Sequence, residues 1–136
     1  MTIFSLAFSH DSSLLALGLH DRIIEIWDIK TLSLQRTLEV REGNVLSVEF
    51  SYDSKLLASR SDDGTISIWD IELGSFYQPF RGSGYKAQSI TFSRDSTQLA
   101  SGLYDHTIKI WDTKTWSVQK TFQVHGGYVI YLHTSD

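Results

Sequence analysis

The dipeptide Trp-Asp recurs at a constant interval: Trp27-Asp28, Trp69-Asp70 and Trp111-Asp112 lie 42 residues apart with no insertion between them. A fixed period of this length belongs to arrays of small supersecondary units, each unable to bury its own apolar face and obliged to stack on a neighbour. Superposing residues 3–41, 45–83 and 87–125 leaves thirteen of 39 columns identical in all three copies, among them Phe8/Phe50/Phe92, Asp21/Asp63/Asp105 and Ile26/Ile68/Ile110. A further segment, VHGGYVIYLHTSD, starts a fourth copy, with Val129 and Leu132 in register with Val45 and Val48.

Within one period the pattern is of the strand type. SVEFS, KLLASRS, TISIWD and SFYQPF are short, rich in β-branched and aromatic residues, and divided by turn residues. Four strands per period follow. In TISIWD, Ile66 and Ile68 point one way while Thr65, Ser67 and Trp69 point the other, which suits sheets stacked on both sides. Asp53-Ser54 and Asp95-Ser96 join the first two strands, and Asp63-Gly64 makes a tight hairpin turn between the second and third. Pro79 falls in a fourth strand, which places that strand at the sheet edge, where a missing N–H costs least. The reading is all-β, with units at 1–42, 43–84 and 85–126 and the first strand of a truncated fourth at 127–136.

These residues resemble the WD40 repeat, whose members are β-propellers built of four-stranded antiparallel blades. VLSVEFSYD, LLASRSDDGTISIWD, ITFSRD and LASGLYDHTIKIWD match its consensus, and the resemblance covers essentially the whole chain. It implies a buried network in each blade, joining a His, a Ser or Thr of the second strand, the turn Asp and the Trp indole. Carried over by position, repeat three offers Ser101, Asp105 and Trp111 with Ser83 in the place of the His. Repeat two offers Ser59, Asp63 and Trp69 with Arg41 in that place. Only His125 matches the family histidine. Repeat one keeps Asp21 and Trp27 but has Leu17 for the Ser, so its indole needs another partner and blade one is expected to be the least rigid.

Propellers close with about 4 to 8 blades, so three and a fraction form an incomplete ring with wet terminal faces. On this reading Tyr128 to His133 is the innermost strand of a fourth blade and an unpaired edge. Both ends read as cuts through a longer array.

Composition removes most chemistry. Twelve Lys plus Arg against sixteen Asp plus Glu give a net charge of −4, which argues against tracking a phosphate backbone. There is no cysteine, hence no disulfide, thiolate metal site or Cys nucleophile, and a cytoplasmic or nuclear protein is expected. No stretch reaches 18 apolar residues and no signal peptide is present. The histidines, His10, His20, His106, His125 and His133, lack ligand spacing. Gly82 to Ala87 matches a dinucleotide fingerprint in letters alone, because a strand and not a helix follows it. Asp28, Asp70 and Asp112 recur once per repeat, as turn-capping groups do. The sequence thus predicts no catalytic, cofactor-binding or metal site and no enzyme.

What remains is surface. In WD40 proteins the binding face displays the loops entering the first strand and those joining the second to the third. Its positions map here to Thr2 and Phe4, Asn44 and Leu46, Lys86 and Gln88, Tyr128 and Ile130, and to His20, Asp62 and Tyr104. These columns differ between repeats while the scaffold columns agree, as a recognition surface would. Trp116 stands at the usual turn glycine and is read as cover for the sheet edge. The function expected is a non-catalytic scaffold or adaptor for protein partners. Alternatives are a ligand-sensing array of a NACHT-type signalling NTPase, an adaptor of the mitochondrial-fission type, or a homo-oligomer in which two chains pool their blades into one ring.

Overall fold

The computed structural model describes residues 2–40, 43–80, 87–103, 106–125 and 128–134, and every regular element among them is a strand. β1 (Ile3–Phe8), β2 (Leu14–Leu19), β3 (Ile23–Asp28) and β4 (Ser33–Glu39) form an antiparallel meander in that order. β5 (Val45–Phe50), β6 (Leu56–Ser61), β7 (Ile66–Asp70) and β8 (Phe76–Phe80) repeat it. β9 (Ala87–Phe92), β10 (Gln98–Leu103), β11 (Thr107–Asp112) and β12 (Val118–His125) are the first four strands of the third sheet. These are three propeller blades in an open arc. Pro79 lies in β8, the edge strand of blade two.

The identical columns of the repeat explain the first turn of each blade. Ser9, Ser51 and Ser93 donate to Asp11, Asp53 and Asp95 at 2.6, 2.6 and 2.7 Å. The same hydroxyls accept from the N–H of Leu14, Leu56 and Gln98, each at 3.0 Å. The residue after each Asp, Ser12, Ser54 or Ser96, sits at φ of 62 to 63°. That left-handed step is held by the short polar side chains on either side of it. In the β2–β3 and β6–β7 turns, Asp21 and Arg22 lie at φ 70° and 63° and Gly64 at 87°, the twist that a tight hairpin requires.

The core lies between blades, not within them. Ala16, Ile24, Ile26, Leu38 and Val40 of blade one pack on Val45, Val48, Phe50, Leu57 and Trp69 of blade two. Ala58, Ile66 and Ile68 of blade two receive Ala87, Ile90, Phe92, Leu99 and Trp111 of blade three in the same way. Blade two is therefore covered on both faces, and Ile66, Ser67, Ile68 and Trp69 are all buried. Polar bonds cross the same seams. Val48 N donates to Ser5 Oγ at 3.0 Å, Asp53 N to Ser96 Oγ at 3.0 Å, and Phe92 N to Glu49 Oε1 at 3.1 Å. At the outer edge the Arg36 guanidinium donates to the carbonyls of Ile71, at 2.8 Å, and Glu72.

One expectation is corrected. Tyr128–Thr134, read from sequence as an unpaired inner strand of a fourth blade, is β13, and it pairs antiparallel with β12 as the fifth strand of blade three. The outer edge of β12 offers a full row of backbone donors and acceptors, and the sequence between the two strands is Gly126-Gly127, a composition suited to a two-residue hairpin link. Trp116 lies at φ 56° in the β11–β12 turn and packs, partly buried, on the second core cluster beside Val118. Among the described residues no helix is long and apolar enough to cross a membrane.

Candidate interaction face

One backbone bond of the candidate rim is shared by blades one and two while the side chains around it differ. His20 N donates to Thr2 O at 2.9 Å, and Asp62 N, one period later, donates to Asn44 O at 2.9 Å. In blade one the His20 ring lies 5.9 Å from Phe4 at 46°, with Nδ1 2.9 Å from Asp21 Oδ1. In blade two Asn44 closes a clasp on Asp62: its N–H reaches Oδ1 at 2.9 Å and its amide reaches Oδ2 at 3.1 Å. Gly43 passes beneath at φ 75°, where a Cβ would stand 2.6 Å from Asp62 Oδ1. Leu46 and Gln88 are exposed near the starts of β5 and β9.

The structure thus joins His20 with Phe4 in blade one and Asn44 with Asp62 in blade two. Lys86 and Tyr104 lie outside the described residues, as does Asp105. Tyr128 is opposite His125 in the β12–β13 hairpin, at the outer edge of blade three and not in the inner-strand column of Asn44.

The indole network differs blade by blade. In blade three Trp111 Nε1 donates to Ser101 Oγ at 3.0 Å, fully buried. In blade one the partner that Leu17 cannot supply is Glu25, whose Oε1 accepts from Trp27 Nε1 at 3.1 Å. The sequence reading overlooked it, although an acceptor two residues earlier on the same strand shares the indole's face. In blade two Trp69 Nε1, Ser59 Oγ, Ser61 Oγ, Thr65 Oγ1 and Asp63 Oδ2 are buried with no partner among the described residues, while Asp63 Oδ1 accepts from Thr65 N at 3.0 Å. Arg41, aligned with the family histidine there, lies outside the described residues.

The opposite rim carries a feature the sequence reading missed. His10, Tyr52 and Arg94 occupy one repeat column. The His10 and Tyr52 rings stack at 3.9 Å and 17°, and the Arg94 guanidinium lies 5.9 Å from the Tyr52 centroid. Three different residue types conceal the column in an alignment that rewards identity, yet each has a flat face able to stack. Below it, between blades two and three, runs a cleft of about 310 Å³ lined by Asp53, Lys55, Asp70, Asp95 and Lys114 among others. The carboxylates of this rim serve its turns. Asp28 accepts from Thr31 N at 3.0 Å, Asp70 from Leu73 N at 2.8 Å, and Asp112 from Lys114 and Thr115 N at 2.7 and 2.9 Å. Those backbone donors hold Asp28 and Asp112 below the usual carboxylate range. The Ser9 hydroxyl, then the Ser13 N–H and hydroxyl, bring Asp11 to about 2. The Thr97 hydroxyl and N–H, then Ser93, bring Asp95 to about 2. Among the described residues no group of three or more His, Asp or Glu is placed to hold a metal ion.

Beside this geometry stands a direct match to a family model, described as WD domain, G-beta repeat, over residues 1–28, 32–70 and 74–112. The chain belongs to the WD40 family. Its second and third WD40 repeats, as the family model cuts them, run across two sheets: 32–70 takes in β4 of blade one and β5 to β7 of blade two. Among curated proteins none matches the chain by sequence. Among solved structures, the WD40 arc is similar to one described as the structure of U3-55K, with TM-score 0.82 and 23% identity over 93% of this chain. A crystal structure of RRP9 WD40 repeats gives 0.80 and 24% over 93%. The chain spans 40% of each of those chains, and at this identity the likeness shows the fold.

Proposed function

We infer that the chain is a non-catalytic scaffold whose WD40 blades hold a protein partner on the rim formed by His20 with Phe4, Asn44 with Asp62, Leu46 and Gln88. The observation that carries this reading is one backbone bond of the rim, shared by blades one and two beneath unlike side chains. The His20–Thr2 and Asp62–Asn44 bonds have one length and one place in the repeat, yet one presents an imidazole on a phenyl ring and the other an amide–carboxylate clasp. A repeated frame with a varied, partly aromatic surface is what selective recognition uses. Lys86 and Tyr104 extend the same columns into blade three by sequence.

The test is affinity enrichment from cell extract with the immobilised chain, comparing wild type with His20→Ala/Leu46→Ala/Gln88→Ala and with the opposite-rim variant Tyr52→Ala/Arg94→Ala. The expected result is a protein retained by wild type and by the opposite-rim variant and lost from the triple variant. Loss that follows Tyr52 and Arg94 instead would move the binding face to the other rim and overturn the assignment.

A further inference from the structure

The β6–β7 hairpin of blade two buries three oxygens that have no partner among the described residues: Ser61 Oγ, Asp63 Oδ2 and Thr65 Oγ1. Ser61 and Thr65 are 1 and 5% exposed. Ser61 N donates to Thr65 O at 2.9 Å, so the two residues face each other across the hairpin and carry their side chains on one side of the sheet. Asp63 stands in the turn between them, its other oxygen, Oδ1, accepting from Thr65 N at 3.0 Å. Gly43 closes over this carboxylate so tightly that a Cβ there would stand 3.2 Å from Asp63 Cγ.

The repeat sets this polarity in relief. One period away, the Ser61 column holds Leu19 and Leu103, and the Thr65 column holds Ile23 and Thr107, so only blade two has hydroxyls in both. In blade one, where the two columns are apolar, the Asp21 side chain is 71% exposed and meets His20 at 2.9 Å. Blade two instead shields a carboxylate oxygen from solvent and sets a hydroxyl on either side of it.

A buried carboxylate oxygen without a donor is costly, and so are two buried hydroxyls without partners. None of the three oxygens bonds to another, although facing residues of a ladder hold their Cβ atoms only about 5 Å apart. A water molecule spans such a gap. It gives one proton to Asp63 Oδ2 and keeps a donor and two acceptor sites for the hydroxyls, and three polar partners are what internal water typically has. A divalent metal fits less well, because calcium and magnesium take about six or more oxygens, and no group of three or more His, Asp or Glu among the described residues is placed to hold one.

We propose that an internal water molecule is bound in this hairpin, hydrogen-bonded to Ser61 Oγ, Asp63 Oδ2 and Thr65 Oγ1. It ties the turn to both strands directly behind Asp62, and so steadies the clasp of Asp62 on Asn44. The site is independent of what the rim binds. Ser59 and Trp69, deeper on the same face, are neutral and lack the charged acceptor that makes the hairpin site strong.

The first test is a high-resolution crystal structure of the whole chain, from crystals grown in a rubidium salt. The expected density is one peak within about 2.6–3.2 Å of all three oxygens, with no anomalous signal from rubidium. A peak that carries the signal makes this a cation site and overturns the proposal. A protein side chain in that place, from Arg41 or elsewhere, overturns it too, as does a site with no density. Thr65→Val keeps the side-chain shape and removes one bond. It is expected to abolish the peak and to lower the folded-to-unfolded ratio about 5- to 30-fold in urea, whereas Ser59→Ala leaves the peak in place. Ser61→Ala gives a second reading of the same loss, with circular dichroism verifying that each variant keeps its strands. Variants of Thr65 and Ser61 that are as stable as wild type also overturn the proposal, because a hydroxyl that holds no water loses nothing on removal.

Discussion

The Trp111 indole donates to Ser101 Oγ at 3.0 Å inside blade three, whereas Trp69 and Ser59, at the same two positions of blade two, leave both polar atoms buried and without a partner among the described residues. The two serines should therefore respond in opposite ways. Ser101→Ala strands a buried indole N–H and is expected to cost about 1–3 kcal/mol. Ser59→Ala removes a hydroxyl already desolvated without a partner, and is expected to be neutral within about 0.5 kcal/mol or stabilising. Urea unfolding of the two variants checks the pair.

Gly74 and Arg36 make a second contrast. Leu32, Gly74 and Trp116 share one turn position at φ of 53, 69 and 56°, so a side chain is tolerated there in two blades of three. At Gly74 a Cβ would collide with the Arg36 guanidinium, which would have to leave Ile71 and Glu72. Gly74→Ala is expected to destabilise by roughly 1–3 kcal/mol, and by clearly less in an Arg36→Ala background. A double-mutant cycle reads the coupling.

Acid should reach the first turns of blades one and three late. Asp11 and Asp95 titrate at about 2 in the folded chain, held down chiefly by the Ser9 and Thr97 hydroxyls. A depressed carboxylate stabilises fully above the unfolded value near 3.9, and its contribution fades as pH falls from there through about 2. Carboxyl NMR titration should give midpoints near 2 for both groups, and Ser9→Ala should raise that of Asp11 alone.

Phe50 is buried in the seam between blades one and two, and Phe8, one period earlier, is 57% exposed. Phe50→Ala is expected to cost about 3–5 kcal/mol, as deletion of a buried phenyl does. Phe8→Ala in monomeric chain should cost less than about 1 kcal/mol. Thermal unfolding of the two variants at one low protein concentration separates them.

The contrast between Phe8 and Phe50 also marks what sequence can reveal. The 42-residue period, the Ser-x-Asp-Ser turn and the Asp63-Gly64 hairpin are local signals, and each strand they delimit is present in the structure. Burial is not local. Phe8 and Phe50 have the same place in the repeat and differ in whether another blade lies against them. The pairing of β13 escaped for a similar reason, because β-branched residues form a strand against whichever open edge is near. Glu25 at Trp27 and the His10–Tyr52–Arg94 stack escaped because each depends on geometry common to unlike residues. Of the candidate rim, the shared backbone positions were legible and the pairing of Asn44 with Asp62 was not.

Because every blade is a meander, each strand pairs with strands adjacent to it in the chain, and a blade docks on the one made just before it. Contacts of short reach form quickly, and chains emerge from synthesis N-terminus first. The face of blade one that receives blade two, Ala16, Ile24, Ile26, Leu38 and Val40, is complete once residue 40 is made, before any of Val45, Val48 or Phe50 exists. Assembly can therefore keep pace with translation, each blade serving as the template on which the next is laid down.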